Sequence, residues 1–217
     1  MLAAAWDYLL AHPQQFAKAF AMHVALSAAA LALATAIAFP LGVAAARRPA
    51  LALAAVSVAN LGRTLPSLAV LALVMPLLGT GFAPSLFALT LLALPPLLLN
   101  TIVGLQGVDP DVVDAARGMG MSPGAILRRV EMPNALFVIF AGVRTAMAIN
   151  VGTAPIAFLI GGGGLGELIF TGIDLQEFGM MLAGAIPTAL LAVLVDFLFG
   201  QAQYWLVPRG VNPLRNS

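Results

Sequence analysis

The chain has 217 residues, a net charge of +1, 61% hydrophobic side chains and only 9% charged ones. A soluble domain carries about 25% charged residues, and a chain of this length cannot hide so much apolar surface in one aqueous core. These figures exclude an ordinary soluble domain and give no footing for nucleic acid or an acidic partner, while the lack of Cys removes disulfides and thiolate metal ligands.

Taken in order, residues 1–19 form a short amphipathic lead with Trp6 and Tyr8, residue types that favour a membrane interface. Asp7 stands where a signal peptide would carry basic residues, so the first apolar run, 20–46, is expected to be a retained span. Arg47, Arg48 and Pro49 end it. A second span is predicted over 51–78, with Arg63, Pro66 and Pro76 inside it. Gly79, Thr80 and Gly81 make a turn, and a third span covers 82–105, broken by Pro95 and Pro96. A polar stretch follows, 109–134, with three of the ten basic residues and four of the nine acidic ones. A fourth span is expected over 133–160, a Gly-rich polar loop from Gly161 to about Glu177, a fifth span over 178–206, and a short basic tail. Each run supplies the ~20 residues a bilayer core demands. None shows the period-two alternation of a strand. The sequence therefore predicts an all-α integral membrane protein of five transmembrane helices, read as a single transmembrane domain over 1–217.

Lys and Arg set the orientation. With five spans, Arg47, Arg48, Arg117, Arg128, Arg129, Arg209 and Arg215 share one side and Lys18 alone occupies the other. That bias puts the 109–134 loop and the C-terminus in the cytoplasm, and the N-terminus and the Gly-rich loop outside.

Within the polar loop, Asp109 or Asp111 is placed to cap a short helix through 112–119. Ala115 and Ala116 permit close approach of another surface, and Gly118 and Gly120 let the chain turn. Ser122 and Pro123 then open a second helical segment. Asp114-Ala115-Ala116, Gly120, then Val130, Met132 and Pro133 resemble the EAA motif of binding-protein-dependent ABC importer permeases, with Asp for Glu, Val for Ile and Met for Leu. The resemblance implies the type I, MetI-like fold and a coupling helix that docks on a cytoplasmic ATP-binding subunit. It assigns Asp114, Ala115, Ala116, Gly118, Gly120, Met121, Val130 and Pro133 to that contact. It also implies an extracytoplasmic substrate-binding protein and a second permease copy or paralogue. ATP and Mg would sit on the partner subunit; this chain carries no phosphate-binding loop, and its only Lys is Lys18.

Residues 61–69, LGRTLPSLA, together with 99–101, 142–146, 150–154 and the Gly-rich 159–166, look like the osmoprotectant branch of these permeases, importers of glycine betaine, choline and carnitine. Amino-acid and methionine importers share much of the scaffold, so an amino acid or another small solute is the alternative cargo. Thr64, Ser67, Asn100, Thr101, Asn150 and Thr153 are the polar residues of spans two to four expected on an interior face, although helix–helix hydrogen bonding accounts for any single one. Arg63, Arg144 and Asp196 lie at similar depth, roughly 14–18 Å from the inner ends at 1.5 Å per residue. Intramembrane charges pair, so Asp196 is expected to neutralise Arg144, Arg63 or both, within the subunit or across a dimer. The Gly161–Gly166 run suits either a gate, a docking surface or a plain connection. A secondary transporter needs coupling carboxylates at mid-membrane, and Asp196 is the only one; a catalytic or metal constellation is not expected.

Overall fold

The computed structural model describes residues 2–212 and 215. Helix α1 (Leu2–Ala11) leads into α2 (Pro13–Ala46), which starts on a proline in its first turn and is longer than the expected span because the lead continues it. Next come α3 (Pro49–Thr64), α4 (Ser67–Leu78) and α5 (Phe82–Gln106), then two short helices, α6 (Pro110–Gly118) and α7 (Pro123–Ile126). A π-helical turn over Leu127–Glu131 joins α7 to α8 (Met132–Thr153), which ends in a 3₁₀ segment, Ala154–Ile160. Helices α9 (Leu165–Asp174) and α10 (Phe178–Leu206) complete the bundle. The last four residues other than Arg215 in the predicted basic tail, 213, 214, 216 and 217, fall outside the described residues; Arg215 places its guanidinium over the rings of Tyr204 and Trp205 at 5.0 and 5.3 Å.

Among the described residues, four helices are long and apolar enough to cross a membrane, and a fifth crossing needs α3 and α4 together. That pair bends by 98°, so the second predicted span is not one straight helix. The residue before a proline is pushed out of the α region, and Leu65, preceding Pro66, is extended at φ −72° and ψ 127°. The opposite holds in α5, which runs unbroken through Pro95 and Pro96. Two prolines remove only two backbone donors, and both rings are buried in the bundle, where packing overrides the local cost. Residues 165–174, expected in a polar loop, form α9, with Leu165, Gly166, Leu168 and Gly172 buried against α10 and the 3₁₀ segment.

Helix α5 is the central post, packed along α2 on one side and α8 on the other. One core cluster joins Leu26, Leu71, Leu89 and Ala157 at one end; a second joins Ala34, Leu97, Met147 and Val151 in the middle. Lipid gives helices no hydrophobic reason to associate, so close packing at small residues supplies the contact. A Cβ on Gly42 would lie 2.7 Å from Thr101 Cβ, and one on Gly142 would lie 2.6 Å from Asn100 Cβ. Buried His23 adds a polar tie from α2 to α8, its Nε2 lying 3.2 Å from Val151 O.

Candidate functional site: the coupling segment and the intramembrane polar groups

The polar loop folds as its residue types dictate. Asp109 caps α6 by accepting a hydrogen bond from Asp111 N at 2.9 Å, and Pro110 occupies the first turn, where a missing N–H costs nothing. Asp111 lies within the helix. Gly118 is still helical; the break is at Gly120, whose φ of +77° is a left-handed conformation suited to glycine. Gly120 N donates to Arg117 O at 2.9 Å and Met121 N donates to Ala116 O at 3.2 Å, the paired bonds of a Schellman stop. One face of this knob is held against the protein through Ala116, 1% exposed. The other presents Val112, Ala115, Met119 and an Asp114–Arg117 ion pair, Arg117 donating at 2.7 Å. Met119 is 75% exposed. A compact helical knob with an apolar tip and charges balanced beside it is suited to sit in a groove of another protein.

Ser122 caps α7, its Oγ accepting from Ala125 N at 3.4 Å. From Pro123 the chain stays helical to Ile160, so the fourth span begins ten residues before the expected Pro133. Pro133 has no N–H to give Arg129 O, and the backbone just before it winds as π, with Met132 N donating to Leu127 O. Val130 is half-buried in this turn, and its carbonyl accepts from Asn134 Nδ2 at 2.7 Å. Helix α7 thereby runs without a break into the membrane-crossing helix, and α6 is joined to it through the turn at 119–122.

The polar residues of the spans separate into two groups. Thr101 and Asn150 are buried between helices. Thr101 donates to Leu97 O at 2.7 Å. With its amide turned to satisfy both ends, Asn150 donates to Leu89 O at 3.0 Å and accepts from Leu31 N at 3.2 Å. It ties α8 to both α5 and α2. Thr153 donates to Ile149 O at 2.6 Å within its own helix. Asn100 belongs elsewhere: with Arg63 and Thr145 it lines a cavity of about 340 Å³ walled by Pro96, Leu99 and Ile149. Thr64 and Ser67 flank the bend next to Arg63, Thr64 donating to Leu61 O at 2.8 Å. Thr145 belongs to the 142–146 stretch but was not among the expected interior-face residues.

Arg144 and Asp196 form a bidentate pair, Nε and Nη2 donating to Oδ1 and Oδ2. Their side chains remain 41% and 43% exposed, beside a cavity of about 560 Å³ walled by Phe197, Gln201 and Tyr204. Arg63 is not part of this pair, and no carboxylate among the described residues lies within 4.0 Å of it.

At the far end of the bundle, Gly161, Gly163 and Gly164 have φ of +81°, +67° and +83°. Ile160 O accepts from Gly81 N at 2.7 Å, which fixes this turn to the start of α5. Lys18, Met22, Phe82 and Glu167 surround it at a cavity of about 490 Å³.

The described residues form a helical bundle of membrane length, with a short capped helix, α6, just ahead of the Pro123–Ile160 span. Residues 38–210 match the family model described as binding-protein-dependent transport system inner membrane component, and the chain belongs to that family. It is 39% identical over 195 residues to the carnitine transport permease protein OpuCB of Listeria monocytogenes, covering 90% of this chain and 89% of that one. It is 39% identical over 193 residues to the choline transport system permease protein OpuBB of Bacillus subtilis (strain 168), covering 89% of each. It is 39% identical over 210 residues to the osmoprotectant import permease protein OsmW of Salmonella typhimurium, covering 94% of this chain and 98% of that one. Among solved structures, the inward-facing MetNI methionine ABC transporter aligns with a TM-score of 0.76 at 20% identity, covering 89% of this chain and 96% of that one. At that identity the likeness speaks to the fold, which is MetI-like.

Proposed function

We propose that this chain is the membrane-spanning subunit of an ATP-driven importer, passing quaternary-amine osmoprotectants of the glycine betaine, carnitine and choline type across the inner membrane. The cargo follows the names of relatives aligned over nine-tenths of the chain. The observation that carries the coupling part is the knob: α6 is capped at Asp109 and stopped at Gly120, and a four-residue turn joins it to α7, which is continuous with a spanning helix. A cytoplasmic ATP-binding subunit gripping Asp114, Ala115, Met119 and Met121 would move α8 as a lever. ATP and Mg reside on that subunit.

The 109–134 loop and C-terminus face the cytoplasm in this reading, in keeping with seven basic residues on their side against Lys18 on the other. The outer turn at Gly161–Gly164 receives the extracytoplasmic binding protein. An ion pair at mid-span that is about two-fifths exposed is poorly covered by lipid. The face of α8 and α10 bearing Arg144 and Asp196 therefore packs on a second permease, a copy or a paralogue. Passage is along the side of α8 lined by Arg63, Asn100 and Thr145.

The test is uptake in cells stripped of their own osmoprotectant systems, expressing this chain with its ATP-binding and binding-protein partners. Glycine betaine, carnitine or choline should accumulate and compete with one another, with methionine without effect. Methionine uptake with no response to quaternary amines would overturn the assignment of cargo.

A further inference from the structure

The C-terminal end of α2 and the segment leading into α8 leave an open groove of about 610 Å³. Its floor and walls are apolar: Phe39, Pro40, Val43 and Ala44 from α2, Leu127 and Met132 from the helix opposite. At its mouth stand Arg47 and Arg128. Arg47 is held there, its Nη2 donating to Glu131 Oε2 at 2.8 Å. Arg128 uses only Nε, donating to Gly124 O at 3.3 Å, so its two Nη groups make no hydrogen bond among the described residues. Arg48 and Arg129 follow directly in sequence and are exposed, whereas Glu131 is the one carboxylate among the five side chains.

An apolar slot that opens toward the ends of spanning helices, under a net positive rim, has the two-part character of an anionic phospholipid: acyl chain below, phosphate above. A guanidinium with free Nη groups suits a phosphate oxygen pair. A zwitterionic lipid would bring its own cation to a rim that already has an excess of them. A soluble anion would leave the apolar slot uncovered.

We infer that this groove is a binding site for an anionic phospholipid, with its phosphate on Arg128 and Arg47 and one acyl chain along Phe39, Val43 and Met132. The inference rests on the proposed topology only for the leaflet, the cytoplasmic one. The site lies where the π-turn joins α7 to α8, so a lipid seated there braces the root of the lever.

The test uses the purified full chain in lipid–detergent micelles, read by native mass spectrometry during titration with phosphatidylglycerol or with phosphatidylcholine of the same chains. Phosphatidylglycerol should stay bound to the wild type and phosphatidylcholine should not, and inorganic phosphate should not displace it. The double variant Arg47→Gln/Arg128→Gln should weaken phosphatidylglycerol about thirty-fold, the equivalent of ~1 kcal/mol for each guanidinium. Ala44→Trp, at an exposed position in the wall, should expel the lipid while leaving both guanidiniums in place. Arg209→Gln, a basic residue outside the groove, should change nothing. Equal binding of the two lipids, undiminished binding in both groove variants, or displacement by inorganic phosphate would overturn the site. Neither transport nor an ATP-binding subunit enters the readout, so the proposed function and this site fail separately.

Discussion

Asp196 is the one acidic residue in the middle of a spanning helix, and its worth to the fold is set by the guanidinium it grips. Removing one partner of an intramembrane pair strands the other. Asp196→Asn should therefore cut folded yield and uptake by about tenfold, matching a loss of ~1.4 kcal/mol or more; Asp196→Glu, which keeps the charge, should retain most of both. Membrane-extracted yield by size exclusion, together with uptake, checks this. Close packing gives a second residue-scale test. A side chain at Gly142 would meet Asn100 Cβ at 2.6 Å, whereas one at Gly152 meets nothing within 4 Å. Gly142→Val should cost about 1–3 kcal/mol by overpacking and lower the midpoint of thermal unfolding; Gly152→Ala should leave it in place.

At the scale of the element, the proposed coupling role requires α6 to end where it does. Its stop depends on a left-handed residue at Gly120, and a branched side chain there costs about 1–2 kcal/mol in local strain. Gly120→Val should redirect the knob, reducing ATP-driven uptake at least tenfold while folded yield stays near wild type. The chain has no Cys, so Met119→Cys offers a unique probe at the 75% exposed tip of the knob. It should crosslink to the ATP-binding subunit, and Val58→Cys, exposed on the side of α3, should not.

The helices of the 109–134 segment were legible in the sequence because their rules are local. Caps, proline in the first turn and a glycine stop need only nearest neighbours; the structure takes Asp109 as the cap and Gly120 as the stop, with α6 over Pro110–Gly118 instead of 112–119 and the following span starting at Pro123 instead of Pro133. Prolines were less legible, because their outcome depends on surroundings. Pro66 sits where Leu65 is exposed and free to become extended, and the chain bends; Pro95 and Pro96 are buried within the bundle, and it does not. Helix α9 was hidden by its flanking glycines and its Glu167 and Asp174, which read as loop until Leu165 and Leu168 find α10. Among the intramembrane polar groups, the partner of Asp196 was legible as Arg144 or Arg63, and the structure takes Arg144; which way the uncharged ones face was not. Asn100 and Thr101 are adjacent, yet one helps to line a cavity and the other is locked under Gly42. Adjacent helical residues differ by about 100°, and without the neighbouring helices the sequence does not choose between them.

The whole molecule is a rigid bundle around α5 with two features that point outward, the knob at one end and the half-exposed charge pair at mid-depth. The proposed function places a second permease over α8 and α10 and an ATP-binding subunit on the knob. The most direct measurement is glycine betaine uptake into proteoliposomes holding this chain, its binding protein and ATP, with and without the ATP-binding subunit. The account predicts accumulation only when that subunit and ATP are both present, and its loss with Gly120→Val. Uptake at the same rate from this chain alone, without ATP, would contradict it.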